Sequence, residues 1–506
     1  MMTTEYLRAV AESNQWWALG PEIILACTAL ALLVMEIVLP KGQQRVIPQF
    51  ALLAQIAVLA TVILNFETGV KGQSLFGGLI MLSDASQIGR VFFLLSSILV
   101  TFLGLICVPR SRMPRVEFYT ITLVVTSAMM LLLESNHFVM LFVALETITI
   151  GFYILVSYFR HNALTLEAGL KYLVMGALSS AIMLFGIVLI YGAVGKVVID
   201  GVVHTGFEFP IIADFLTTNP DNFLAIAGAL LVLSGVAFKI GAFPFQVWIP
   251  DVYQGAPTPV TAFLAVSSKA AGFGMLLVLV LTVFAPLQAI LVPVLSLLAG
   301  ATIIFGNLSA LTQRNAKRLM GLSGVSHAGY LLIGVIAALT VPWAAGAVWF
   351  YLFTYLFASM AVFGVMAYVA GENDADQELD HYEGLAKKHP FLGGVLAVGI
   401  GSLAGIPPLA GFMGKLLLFV AAFQAHLYCL LGIAILGVVV SIYYYFGWIK
   451  AAFFETWRPS TGADGESTER TVTLPSWAGA ATLTLLAFVT ILLGFYQAPL
   501  SAWLLK

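Results

Sequence analysis

Apolar stretches of about twenty residues follow one another along this chain, and no other feature limits its fold as strongly. Hydropathy and breakers place them near 19–40, 48–68, 88–108, 116–134, 137–159, 168–195, 223–249, 257–283, 286–310, 318–340, 343–370, 391–424, 427–450 and 475–503. A helix of that length crosses about 30 Å of hydrocarbon at 1.5 Å per residue. The stretches are too long to be buried inside a soluble core, because only 9% of the 506 residues are charged and 60% are hydrophobic. Soluble domains carry roughly 25% charged residues and need them to cover their surface. A β-barrel would instead show short alternating strands, and none are read here. The fold class is therefore an all-α polytopic membrane protein of about fourteen transmembrane helices.

Several chemistries are excluded early. A net charge of −2 with no dense basic cluster argues against a nucleic-acid partner. Cys27, Cys107 and Cys429 are scattered, with no CxxC, so a cysteine-held iron–sulfur cluster, a structural zinc or a disulfide framework is not expected. No GxGxxG follows a strand, and no strands are read at all, so no flavin, nicotinamide or quinone site is expected in this chain. Trp16 and Trp17 read as interfacial anchors. The apolar stretch after them is too long for a signal-peptide core, so the first helix is expected to stay.

The loops are polarised in charge. Lys41, Arg45, Arg110, Arg112, Arg115, Arg160, Arg314, Lys317, Arg318, Lys387, Lys388, Lys450, Arg458 and Arg470 fall in or beside loops on one side. Arg8, Lys71, Arg90, Lys196 and Lys506 fall on the other, with Arg90 the least comfortable, at the mouth of the third span. Cytoplasmic loops carry the excess of Lys and Arg, which predicts that both termini face away from the cytoplasm. Lys171, just inside the sixth span, is expected to snorkel to the cytoplasmic surface. Residues 196–222 and 451–474 read as loops, and the acidic run 371–389 as a solvated connection with at most one amphipathic turn.

Four ionisable groups resist placement in any loop: Glu146, Lys239, Lys269 and Lys415. One charge at the centre of a lone span costs roughly 2.5–3.5 kcal/mol on insertion scales, so four unpaired ones cost on the order of 10 kcal/mol. They must face the bundle interior, pair, or line water. Lys239 precedes "IGAFPF" and Lys415 follows "SLAGIPPLAGFMG", so two of the lysines stand beside helix breaks. Proline and glycine open the helical ladder and expose backbone groups at membrane depth. Breaks at corresponding places of two halves point to a transport site. The seventh and twelfth spans are five apart, so spans 4–8 and 9–13 read as two inverted five-helix repeats. The segments are then 19–108 for the first three helices, 116–283 for the first repeat, 286–450 for the second and 475–503 for the closing helix. His327, in the tenth span, takes the place in the second repeat that Glu146 holds in the first.

Low dielectric favours the neutral forms of amines and carboxylic acids, and an opposite charge nearby reverses that preference. A lysine that alternates between a glutamate partner and water is thus a proton switch. The expected roles are Glu146 and Lys239 as the modulating pair, Lys269 and His327 as the central relay, and Lys415 as the exit group.

The stretches "FKIGAFPFQVWIPDVYQGAPTPVTAFL", "EAGLKYLVMGALSSAIMLFG", "KRLMGLSGVSHAGYLL" and "SLAGIPPLAGFMGK" resemble the antiporter-like membrane subunits of respiratory complex I, subunit N most of all. The resemblance covers about residues 20 to 500 and extends to the corresponding NDH subunit 2 of cyanobacteria and chloroplasts. It implies a fourteen-helix proton-translocating subunit whose essential groups fall on Glu146, Lys239, Lys269 and Lys415. Lysine at the last position resembles subunit N more than subunit M, and no long lateral helix of the subunit L kind follows the fourteenth span. It further implies no cofactor in this chain, with NADH or another donor, flavin, iron–sulfur clusters and quinone held by partner subunits. The expected partners are neighbouring antiporter-like and small membrane subunits and the lipid bilayer. The alternative is an Mrp-type cation/proton antiporter subunit.

Overall fold

The computed structural model describes residues 11–40, 43–66, 72–107, 115–159, 161–199, 202–370, 374–454 and 472–505. Among these, thirteen helices are long and apolar enough to cross a membrane. The remaining predicted span, the twelfth, is present as two shorter apolar helices, Pro390–Ala404 and Ala410–Gln424. Span 1 is Gly20–Val38, span 2 Ile47–Leu64, span 3 Asp84–Cys107, span 4 Arg115–Glu134, span 5 Phe138–Val156 and span 6 Ala163–Val194. Span 7 comprises Phe223–Ile240 and Ile249–Gly255, and span 8 runs Thr258–Val283. Spans 9, 10 and 11 are Gln288–Ala310, Ala316–Ala338 and Ala344–Val369, and span 13 is Tyr428–Phe453.

Spans 8, 10 and 11 form the centre. Their apolar windows are 89%, 100% and 94% buried, against 33% for spans 1, 2 and 13. The outer helices leave large apolar side chains uncovered, among them Leu30, Leu178, Leu297 and Leu436, as a bilayer-facing surface should. A helix that is apolar all round and enclosed by others is where a charge can be sheltered from lipid.

The two broken spans break in the same way. Gly241 (φ 73°) and Gly405 (φ 84°) each end a helix in the left-handed region, where a side chain would be strained. The next amide in each case reaches back five residues: Ala242 N donates to the Ala237 carbonyl at 2.9 Å, and Ile406 N to the Gly401 carbonyl at 3.0 Å. A cis X–Pro bond follows in both, ending at Pro244 and at Pro408, three residues past each glycine. Each break thus leaves the carboxyl end of a helix pointing into the bundle.

Several expectations from the sequence are corrected. Strands are present: β1 (Ser74–Leu75) pairs with β2 (Ile80–Met81), and β3 (Lys196–Ile199) pairs with β4 (Val202–Thr205). The segment 196–222 is therefore no plain loop, since β3 and β4 are followed by the helix Phe209–Thr218. Span 6 begins five residues earlier than predicted because the Asn162 side chain accepts from Leu164 N and caps it. Lys171 lies two turns inside and is held by Glu167 and Asp251, each at 2.6 Å.

Lys317, read as a loop cation, has a fully buried side chain; it pairs with Asp374 at 2.8 Å and donates to the Ala256 carbonyl at 2.9 Å. Arg90 is likewise buried, between Glu22 and Glu134. Arg8, Lys41, Lys71, Arg110, Arg112, Arg160, Arg458, Arg470 and Lys506, used in the charge count, lie outside the described residues, as does most of 451–474. The described part of 371–389 holds a 3-10 turn, Leu379–Tyr382, and a short helix, Leu385–Lys388.

Candidate functional site

The unplaced charges of the sequence all come to rest inside the bundle. Lys239, Lys269, Lys415 and His327 are 7%, 4%, 3% and 2% exposed. Among the described residues, no carboxylate lies within salt-bridge distance of any of the three lysines. Their amines are held by hydroxyls and main-chain carbonyls instead.

Lys239 occupies the last turn of Phe223–Ile240, directly before the Gly241 break. Its amine donates to Thr149 Oγ1 of span 5, and Thr149 in turn donates to the Leu145 carbonyl at 2.7 Å. Glu146 lies one turn before Thr149, on the same helical face, and its Oε1 accepts from Ser180 Oγ of span 6 at 2.5 Å. The expected Glu146–Lys239 pair is therefore not in direct contact here, though Glu146 is near enough to act on Lys239 through space. Thr149 marks a resting place for the amine one turn from the carboxylate. Replacing it with valine keeps the shape and removes the acceptor. A hydrogen bond to a charged group contributes about 1.5–3 kcal/mol, so proton translocation by T149V is expected to fall about tenfold, measured in vesicles against an unchanged amount of assembled protein.

Lys269 follows a π-helical turn, Leu264–Ser268, in span 8; such turns widen the ladder and are frequent at functional sites. Its amine donates to the Gly324 carbonyl at 2.6 Å and to Tyr355 Oη at 3.4 Å, and it lies 4.7 Å from the centre of the Tyr355 ring. Gly324 is one turn before His327 on span 10. The His327 ring is bracketed by two phenols, Tyr351 Oη 2.5 Å from Nδ1 and Tyr445 Oη 3.1 Å from Nε2. Tyr355 and Tyr330 also lie against the imidazole, with ring centres 5.1 and 6.1 Å away. On the far side, the Lys415 amine lies 5.3 Å from the Tyr330 ring centre. Lys269, His327 and Lys415 are thus joined by aromatic and hydroxyl neighbours over one continuous buried region.

Lys415, on the second half of span 12, donates to the Leu403 and Ala404 carbonyls at 2.9 and 3.0 Å. These are the orphaned carbonyls at the end of Pro390–Ala404, where the helix dipole is negative and a cation is favoured. No hydrogen bond among the described residues joins Lys239 to Lys269, but Gly272, less than one turn from Lys269, packs on the backbone of Lys239 and Ile240. Lys269, His327 and Lys415 thus share one buried region, Lys239 packs beside it through its backbone, and Glu146 stands one turn from the Thr149 that holds the Lys239 amine.

The sequence missed the neutral members: Thr149, Ser180, Tyr330, Tyr351, Tyr355 and Tyr445. A signal existed. Tyr351 and Tyr355 are four apart in "WFYLFTYLF", a spacing that puts both hydroxyls on one face of an otherwise apolar helix.

Two spans broken in the same manner, with unpaired buried amines beside the breaks, define a helical membrane protein built to pass an ion. Residues 135–441 match the family described as NADH:quinone oxidoreductase/Mrp antiporter, TM. The chain belongs to that family, and its relatives place it with the subunit N proteins. NADH-quinone oxidoreductase subunit N 1 of Opitutus terrae is 60% identical over 505 residues, 100% of each chain. A chain of respiratory complex I from Thermus thermophilus with bound aureothin is 32% identical, with a TM-score of 0.76 over 95% of this chain and 98% of that one. A chain of the Mrp complex from Dietzia sp. DQ12-45-1b shares the fold at 20% identity, with a TM-score of 0.77 over 97% of this chain and 96% of that one.

Proposed function

We propose that this chain conducts protons across a bacterial inner membrane as the N-like subunit of a NADH:quinone oxidoreductase, by way of Glu146, Lys239, Lys269, His327 and Lys415. The observation that carries this reading is that Lys239, Lys269 and Lys415 are held by neutral acceptors alone. An amine so held can release its proton without leaving a buried carboxylate unpaired. Glu146 and Lys239 act as the modulating pair: the amine moves between Thr149 and the carboxylate, and the carboxylate's approach or withdrawal sets how firmly the proton is kept. Lys269 and His327 pass the proton across the centre, and Lys415 delivers it at the second break.

The matched geometry at Gly241 and Gly405 supports two inverted repeats, spans 4–8 and 9–13. Flavin, iron–sulfur clusters, the NADH or other donor site and quinone belong to partner subunits, and neighbouring antiporter-like and small membrane subunits cover this chain. Both termini face away from the cytoplasm.

Purification of the assembled complex in mild detergent tests the setting: co-migration with redox subunits supports it, and a free antiporter assembly supports the Mrp-type alternative. Lys239→Ala and Glu146→Ala test the path. Both are expected to assemble and to lose proton uptake in proteoliposomes, and full pumping by both variants rejects the assignment.

A further inference from the structure

A second buried charge cluster lies outside the lysine–histidine line. Glu22 stands in the first turn of span 1, Arg90 in the second turn of span 3, and Glu134 is the last residue of span 4. Their exposures are 2%, 4% and 0%. Arg90 grips Glu22 with both arms: Nε donates to Oε1 at 2.8 Å and Nη2 to Oε2 at 3.0 Å, while Nη2 also donates to the Ala18 carbonyl at 2.8 Å. Arg90 Nε lies 2.7 Å from Glu134 Oε1 as well, but its one hydrogen is directed at Glu22. Neither oxygen of Glu134 receives a well-aligned hydrogen bond among the described residues, although its carboxyl group lies in hydrogen-bonding reach of both Glu22 and Arg90.

Ionised carboxylates only accept. Two of them facing each other in a dry site repel, and with one guanidinium they leave a net charge of −1 buried, which is costly. A single proton removes both defects: it neutralises the cluster and supplies the donor that the Glu22–Glu134 contact lacks. Sharing of one proton by two close carboxyls is the usual resolution of such a site.

We propose that Glu22 and Glu134 hold one exchangeable proton between them against Arg90, a protonatable station separate from the lysine–histidine line. The Arg90 side of the cluster borders a cavity. Arg90 and Gln87 line a cavity of about 380 Å³, together with Gln15, Thr61 and Asn65, at the membrane face that carries β1 and β2. Asp84 heads span 3 on the solvent side, span 2 has no charged residue, and the His137 ring accepts from Val139 N beyond the end of span 4. Lys269, on span 8 packed against span 4, is engaged with Gly324.

Infrared difference spectroscopy of the assembled complex in its membrane tests this independently of any transport. The wild type is expected to show a protonated-carboxyl C=O band at neutral pH that shifts in D2O. Glu134→Gln matches the protonated acid in shape and charge, so it should assemble to the wild-type amount and lose that band. Glu22→Gln should lose it too, because Arg90 and the remaining carboxylate then form a neutral pair, and this variant decides the matter if Glu134→Gln assembles poorly. Wild-type-minus-variant spectra without such a band, or a band that does not shift in D2O, overturn the proposal.

Discussion

Replacing Lys269 with alanine is expected to stop proton translocation while leaving the complex assembled. The side chain touches both span 10, through the Gly324 carbonyl, and span 11, through Tyr355. In the proposed path, its loss would separate Lys239 from His327 and Lys415. Alanine leaves no charged group unpaired, because the partners of Lys269 are neutral, so folding should tolerate the change better than function does. Groups that take up and release protons typically contribute 10²–10⁴-fold to a rate, and a loss of about 10²-fold or more is expected in vesicles. Lys269→Arg separates the two readings of this residue. Arginine keeps the charge but does not release its proton, so a purely structural cation is rescued by arginine and a proton carrier is not. Pumping restored by Lys269→Arg would place the path elsewhere.

Lys317→Ala is expected to act in the opposite way, damaging stability more than the chemistry. Its amine pairs with Asp374, whose carboxylate also accepts from Thr258 N at 2.6 Å, Thr258 Oγ1 at 2.7 Å and Gln377 Nε2 at 2.9 Å. This network ties the start of span 8 and the start of span 10 to the connection after span 11. Removing one partner of a buried ion pair costs about 3–5 kcal/mol, because the other charge is left without compensation. Thermal unfolding in detergent should show the loss, and Lys317→Met combined with Asp374→Asn should recover most of it. The pair also sets an acid limit. Burial pushes the Asp374 carboxyl up, but Lys317 and the Thr258 donors outweigh it and hold the group below its ordinary value of 3.8. A carboxyl lowered on folding contributes stability that is complete above the unfolded value, about 3.9, and is lost as pH falls through the lower folded value. Acid unfolding of Asp374→Asn should accordingly be less steep below about pH 4 than that of the wild type.

Much of the frame was legible from hydropathy because a bilayer allows so few solutions. The fourteen spans, both breaks and the depth of Lys239, Lys269 and Lys415 all follow from apolar length and from Gly and Pro. What escaped was polar chemistry that carries no charge. Thr149 and Ser180 look like ordinary helix residues until the fold turns them toward Lys239 and Glu146. Except for Tyr330 of its own span, the phenols around His327 come from spans 11 and 13, far apart in sequence. Glu22, Arg90 and Glu134 were hidden for another reason: each lies near the end of a span, where a charge is usually wet, and only the packing of spans 1, 3 and 4 makes them dry. The β3–β4 hairpin could have been found, since β-branched runs flank Asp200–Gly201, a turn signature.

The grip of Lys415 on Leu403 and Ala404 ties chemistry to mechanics. While the amine is charged, it braces the two pieces of span 12 through charge-assisted bonds, which are about twice as strong as neutral ones. Were the proposed relay to take that proton, the brace would slacken and the hinge at Gly405 would be freer to flex. By reciprocity, under the proposed relay a push that bends this hinge would alter the amine's hold on its proton, and a displacement at the surface of the chain would then be converted into release or capture at its core.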